Sequence, residues 1–113
     1  MSKMGERIAK RSKDERSFDV EAWGENDESL IIYHGPFTAG EMNRIQRKHP
    51  GFLGNPTLEA FVDIIILKAK EKDGEPMFDL KDKAILLREE VGVISQVANN
   101  LMSGDDTADL EKN

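Results

Sequence analysis

The longest apolar segment of the chain lies within residues 55–74 and repeats with helical spacing. Its apolar positions recur at intervals of three and four residues, which predicts one continuous stripe along a helix. The stripe consists of Leu58, Phe61, Val62, Ile65, Ile66 and Ala69. Asn55 and Pro56 precede it, so we expect Asn55 to cap the helix and Pro56 to occupy its first turn. We expect the stripe, with Phe61 and Ile65 as structural residues, to face the core.

A second set of apolar residues projects from the other side of the same helix. At about 100° per residue, Ala60, Ile64 and Leu67 lie opposite the main stripe. A membrane span needs about 20 mostly apolar residues, whereas the uncharged run between Asp63 and Lys68 is too short for one. Two interpretations remain: a helix buried centrally in one monomer, or a second face, formed by Ala60, Ile64 and Leu67, that binds a partner.

A hairpin is predicted near the N-terminus. Phe18, Val20 and Ala22 alternate with Asp19 and Glu21, and "SLIIYH" is rich in β-branched and aromatic residues. Turn residues, "GENDE", separate the two segments. Residues 18–34 therefore predict two short strands that must pack on something larger.

Further helices are predicted on both sides of the apolar segment. Thr38 starts a capping-box sequence with Glu41, for a helix that continues to about Lys48. Asp79 is placed to cap a shorter helix, with an inner line of three apolar residues: Leu80, Ala84 and Leu87. The last helix has an apolar face made of Val91, Ile94, Val97, Ala98, Leu101 and Met102. The fold class is therefore mainly α with a short N-terminal β-hairpin, an α+β fold with about four helices.

Length and charge predict one small domain with a polar segment at each end. The chain has 113 residues, which suits one modest core. We expect residues 1–16 to be a basic, flexible arm, residues 17–103 to be the domain, and residues 104–113 to be a polar, flexible tail. The net charge of −6 opposes nucleic-acid binding, although the arm is basic.

The residues that usually carry catalysis or bind metals are scarce. The chain has no cysteine, and its two histidines, His34 and His49, stand in no catalytic or metal-ligand motif. No glycine pattern typical of a phosphate-binding loop is present. We therefore expect no enzyme activity, no metal and no cofactor. The absence of cysteine and of a secretory signal favours the cytoplasm.

The order of these segments resembles the small tail assembly chaperones of long-tailed bacteriophages and prophages. The resemblance covers about residues 17–103. It rests on "VEAWG", which contains Trp23 as a structural residue, on "TAGE", on "KHPGFLGNPTLEAFVDIIILKAKEKDGEPMFDLKDKAILL" and on "VISQVANNLM". None of these pieces is a catalytic signature. The basic N-terminal arm does not match the family pattern.

The resemblance implies a function in virus assembly. Members of the family bind the tape-measure protein, keep its apolar helices from aggregating and promote tail-tube polymerisation, and they are absent from the finished virion. The resemblance also implies a helical, self-associating protein in the bacterial host cytoplasm, with a longer form made by ribosomal frameshifting. The partners expected are thus the tape-measure protein, the tail-tube protein and further copies of the chain, with no membrane.

Two other interpretations stay open at the level of sequence. The chain is compatible with a structural tail or connector subunit that remains in the particle. It is also compatible with a small nucleic-acid-binding regulator that uses residues 1–16, since that arm carries six lysine and arginine residues against three acidic ones.

Overall fold

The computed structural model describes residues 2–11 and 13–103, so the tail predicted at residues 104–113 lies outside the described residues. The elements, in chain order, are α1 (Lys3–Arg11), β1 (Arg16–Glu25), β2 (Glu28–His34), α2 (Ala39–Lys48), α3 (Leu58–Lys68), a 3₁₀ turn (Leu80–Asp82), α4 (Lys83–Leu86) and α5 (Val91–Met102). The predicted fold class is confirmed: an N-terminal hairpin is combined with α-helices.

The two strands form an antiparallel hairpin with a tight turn. Arg16 pairs with His34, and the register continues to Val20, after which the strands lose their regular pairing until the turn. Asn26 and Asp27 both have positive φ angles, of 53° and 66°, which a two-residue type I′ turn requires. Among residues with a side chain, asparagine and aspartate tolerate positive φ best, so the turn follows from local sequence.

The N-terminal arm contains a helix that the sequence pattern did not predict. α1 spans Lys3–Arg11, and the hydroxyl of Ser2 accepts a hydrogen bond from the Gly5 N–H at its start. Lysine, arginine, glutamate and methionine have high intrinsic helix propensity, which explains a helix without a buried face. None of its residues is buried. The arm is therefore helical over most of its length, and β1 begins at Arg16, one residue before the expected domain boundary.

The core forms around α3, which packs mainly against α5. Residues of the hairpin and of α2 also belong to this core, so α3 has apolar neighbours from several elements. The largest side chains that are completely buried are Ile32, Val62, Ile64, Ile65, Val97 and Leu101. Helix α3 is thus the centre of the fold rather than one of its outer layers.

Helix α3 starts later than predicted. Its cap is Thr57, whose hydroxyl accepts a hydrogen bond from the Ala60 N–H at 3.2 Å, and not Asn55. Thr57 has the extended backbone of an N-cap and directly precedes the first helical residue, whereas Asn55 lies two residues further from the helix. The helix ends at Lys68, and the chain then becomes extended so that Lys70 pairs with Tyr33 of β2.

Two isoleucines of α3 test which side of the helix faces the core. Ile64 is completely buried whereas Ile66 is only half-buried, the opposite of what the apolar stripe predicts. We expect Ile64→Ala to lower the free energy of unfolding by about 2–5 kcal/mol, because it leaves a cavity in the core. Ile66→Ala, the matched control, should cost about 1 kcal/mol, since part of that side chain already contacts water. Urea unfolding of both variants measures the difference, and an equal or reversed order would contradict the structure.

Candidate protein-binding surface

The structure corrects the prediction that Ala60, Ile64 and Leu67 form an exposed face. Ala60 and Ile64 have no solvent-exposed area, and Leu67 is half-buried. A side chain without exposed area cannot contact a partner unless the domain opens. The interpretation of α3 as a central helix of one monomer is therefore the one that the structure supports, and Ala60 and Ile64 belong to the core.

The five residues predicted to be structural all have identifiable partners or complete burial. Ile65 is completely buried, and Phe61 packs edge-on against Phe52 with 6.0 Å between ring centroids. Trp23 packs edge-on against Phe78, and its indole N–H donates to a Glu89 carboxylate oxygen at 2.6 Å. Trp23 thus ties the hairpin to the segment between α4 and α5.

The caps predicted at Thr38 and Asp79 are present. The Thr38 hydroxyl accepts from the Glu41 N–H at 3.1 Å, and the Glu41 carboxylate accepts from the Thr38 N–H at 2.9 Å. Asp79 makes the same reciprocal pair with Asp82, and it also accepts from the Lys81 N–H at 2.8 Å. These capping boxes begin α2 and the 3₁₀ turn at the predicted positions.

A cluster of charges covers one side of α3. Asp63, which is 8% exposed, lies 2.6 Å from the His49 Nε2 through one carboxylate oxygen and 3.1 Å from the Lys83 Nζ through the other. Lys48 is a further cation at 3.4 Å, and Lys83 also contacts Glu59. Three cationic or hydrogen-bonding groups from α2, its C-terminal end and α4 thus meet one carboxylate of α3.

These contacts shift the pKa of Asp63. Burial by itself raises the pKa of this carboxyl, but the hydrogen bonds from His49 and Lys83 and the charges of Lys48 and Lys83 outweigh burial and lower it below its ordinary value. The pKa of Lys83 is raised, because its ammonium group is hydrogen-bonded to Glu59 and Asp63. The cluster therefore favours the ionised carboxylate in the folded protein.

A second buried charge on α3 is neutralised in the same way. Lys68, which is 6% exposed, donates to both carboxylate oxygens of Glu41 and to the Pro36 carbonyl, each at 3.1 Å. Burial raises the pKa of Glu41, while the Thr38 N–H and the Lys68 ammonium lower it, and the net shift is downward. Both buried charges of α3 are thus paired within the fold.

A shallow groove runs beside the charge cluster on the outer side of α3. It has a volume of about 240 Å³ and lies between Ile66 and Leu67 of α3, Leu80 of the 3₁₀ turn, and the cations Arg44 and Lys48 of α2. Leu67 is the one residue of the predicted partner-binding set that reaches this groove. Asp63 also lines the groove and pairs with Lys48, so the groove combines an apolar floor with two cations and one carboxylate.

Several exposed apolar side chains lie in residues 80–91, the segment that begins with the groove residue Leu80. Of the nine large hydrophobic residues that are exposed in the described part of the chain, four lie in residues 80–91. They are Leu80, 75% exposed, Ile85, 66%, Leu87, 49%, and Val91, 61%. We refer to Leu80, Ile85, Leu87 and Val91 as the apolar surface.

The apolar surface also corrects the predicted inner line of the short helix. Leu80, Ala84 and Leu87 were expected to face the core, but all three are exposed and Leu86 is buried instead. The reason is the length of α4, which has only four residues. One helical turn followed by irregular backbone does not keep the spacing of three and four residues on which the prediction depends.

The histidines of the described residues belong to no metal-binding cluster. The parts of the chain at 2–11 and 13–103 contain no group of three or more histidine and acidic side chains arranged to hold a metal ion. His34 is buried against Phe18, and His49 contacts Asp63. Over the same residues, none of the helices has the length and apolar character needed to cross a bilayer.

Comparison with known proteins found no matching family model, curated protein or solved structure. The resemblance to tail assembly chaperones therefore stays a prediction, and the surfaces described above have to be interpreted from their own chemistry.

The charge cluster generates a prediction about acid stability. Because the pKa of Asp63 is lowered in the folded state, its ion pairs stabilise the protein fully above the ordinary value of 3.8 and lose that effect as the pH falls through the folded-state pKa. Asp63→Asn should lower the free energy of unfolding at pH 7 by about 1–3 kcal/mol. It should also flatten the fall in stability at acid pH, which urea unfolding at a series of pH values measures.

Glu59→Gln provides the control for this prediction. Glu59 contacts the same Lys83, but its side chain is 60% exposed, so solvent screens the pair and the change should stay below about 1 kcal/mol. If Asp63→Asn and the unmodified protein lose stability in parallel below pH 4, the ion pairs of Asp63 contribute nothing to acid stability.

Proposed function

We propose that the chain is a non-enzymatic tail assembly chaperone of a long-tailed bacteriophage or prophage. In this role it binds apolar helices of the tape-measure protein in the bacterial host cytoplasm and promotes polymerisation of the tail-tube protein around it. The observation that carries the proposal is the apolar surface, Leu80, Ile85, Leu87 and Val91.

The grouping of these side chains supports a protein-binding role. Single exposed leucines are ordinary on protein surfaces, whereas a contiguous apolar patch marks an interaction site, and we infer such a patch from the closeness of these four residues in the sequence. Four such residues within one short segment of a polar chain are costly in water unless a partner covers them. The net charge of −6 offsets this cost, because it keeps complexes with an apolar client soluble.

The groove beside α3 supports the same kind of client. Leu80 belongs both to the apolar surface and to the wall of the groove, so the two meet at this residue. An apolar helix with an acidic residue on its flank would place apolar side chains against Ile66 and Leu67 and its carboxylate near Arg44, since Lys48 already pairs with Asp63. The client surface proposed here lies on residues 80–91 and this groove, and no longer on Ala60 and Ile64.

A double substitution on the apolar surface tests the proposal. Leu80→Asp with Ile85→Asp should leave the fold intact, because both side chains are mostly exposed. It should weaken binding of the co-expressed tape-measure protein roughly tenfold or more, since each lost apolar contact contributes about 1.5–3 kcal/mol when fully buried. The soluble fraction of the tape-measure protein and its co-purification with the chain measure this effect, and circular dichroism checks the fold.

Leu53→Asp is the matched control. Leu53 is 68% exposed but lies in the loop between α2 and α3, away from the apolar surface in sequence. Its substitution should leave client solubility unchanged. Equal loss of solubility with Leu53→Asp, or recovery of the protein in fixed ratio from purified virions, would contradict the proposal and favour a structural tail subunit.

A further inference from the structure

The hairpin has one edge that is closed and one edge that is open. At the closed edge, Tyr33 of β2 exchanges two backbone hydrogen bonds with Lys70, of 3.0 and 2.8 Å, and Lys70 in turn pairs with Pro76. β1 pairs with β2 alone among residues 2–11 and 13–103. The other edge of β1 is therefore the open edge of this small sheet.

The register determines which backbone groups face the open edge. Because both backbone groups of Tyr33 point toward Lys70, Tyr33 and Ser17 form a non-hydrogen-bonded pair across the hairpin. The pairs alternate along an antiparallel ladder, so Asp19, opposite Ile31, is in the same class. The N–H and C=O groups of Ser17 and Asp19 thus point away from β2, along the open edge.

This edge is accessible and adjoins a cleft. Ser17, Asp19 and Glu21 are exposed, and a cleft of about 370 Å³ separates residues 19–22 from α5. Gln96 and Asn100 of α5 lie on the opposite wall of the cleft. Their amide groups both donate and accept hydrogen bonds, so they suit a polar main chain. The cleft therefore has backbone pairing groups on one side and adaptable side-chain groups on the other.

The charge along the edge selects the occupant. Asp19 and Glu21 are exposed and lie two residues apart in β1, so their side chains project from the same face of the strand. Glu15, which is also exposed, directly precedes β1. A second copy could pair antiparallel with β1 in a register that is symmetric about Phe18, which would place Glu15 of one copy opposite Glu21 of the other. A register symmetric about Ser17 would place Glu15 opposite Asp19. Like charges directly opposite each other destabilise a strand pair. Nucleic-acid phosphates would be repelled as well.

We propose that the open edge of β1 binds an extended peptide segment with lysine or arginine at alternate positions, which adds to the hairpin as a third strand. Main-chain hydrogen bonds to Ser17 and Asp19 hold the segment, and its cations pair with Glu15, Asp19 and Glu21. The acidic side chains and the irregular pairing after Val20 also discourage edge-to-edge association of identical copies. This site is independent of the apolar surface, so it stands or falls separately from the proposed function.

Synthetic peptides of about nine residues test the site. One peptide alternates threonine and lysine, and its matched control alternates threonine and glutamate. We expect the lysine peptide to bind, to shift the NMR amide signals of Ser17 and Asp19 and to slow their hydrogen exchange, and the glutamate peptide to do neither. Methylation of alternate peptide nitrogens on the pairing edge should abolish binding, because it removes the donors that strand addition requires.

Two charge reversals locate the binding. Asp19→Lys should weaken binding of the lysine peptide roughly tenfold, because it replaces an attractive cross-strand pair with a repulsive one. Glu71→Lys changes the same charge at an exposed position on the other side of the hairpin, beyond Lys70, and should leave the affinity unchanged.

Three results would overturn the proposal. The first is that neither peptide slows exchange at Ser17 and Asp19. The second is that both charge reversals weaken binding equally, which would indicate general attraction to an acidic protein. The third is protection of the Ser17 and Asp19 amides that appears with protein concentration in the absence of peptide, which would assign the edge to a second copy of the chain.

Discussion

The burial of two charged residues on the central helix is the constraint on which the rest of the structure depends. α3 is buried on most sides, and Asp63 and Lys68 are carried inward with its apolar residues. An unpaired buried charge would cost several kcal/mol, so each of these charges needs a partner of opposite sign held close to it. The neighbouring elements supply those partners: Lys83 for Asp63, which also hydrogen-bonds to His49, and Glu41 for Lys68.

The need to pair these two buried charges determines where α2 and α4 pack on α3. Glu41 both completes the capping box with Thr38 and pairs with Lys68, so the start of α2 and its position on α3 depend on the same carboxylate. Lys83, the first residue of α4, pairs with Asp63 and so holds this end of α4 against α3. Leu86 is the buried residue of that short helix. Because α4 is anchored at these two points and has only one turn, its other apolar side chains remain outside. The exposure of Ile85, the residue of the apolar surface that lies in α4, is thus a consequence of how α4 is attached.

Local patterns predicted the parts of the fold that depend on neighbouring residues. The hairpin follows from two-residue alternation and turn chemistry, and the caps at Thr38 and Asp79 follow from side chains that reach three residues along the chain. The orientation of α3 was not predictable in this way, because a helix with apolar residues on every side gives no single direction of burial. The orientation also depends on the partners of Asp63, which are distant in the sequence. The exposure of Leu80 and Leu87 likewise depends on the length of α4, which their spacing does not reveal.

The two proposed binding regions both include a residue of α5. Val91 of the apolar surface is the first residue of α5, and Gln96 of the cleft beside β1 lies five residues later on the same helix. With a rise of about 1.5 Å and a rotation of about 100° per residue, these positions are about 7.5 Å apart along the helix axis and about 140° apart around it, so a client that contacts both must pass around α5. The first region is proposed to bind through apolar area and the second through backbone pairing and charge, so one client with an apolar helix followed by a basic, extended segment would satisfy both proposals. Two weak contacts held together by one short connection bind far more tightly than either alone, and a chaperone that must later release its client benefits from such separately weak contacts.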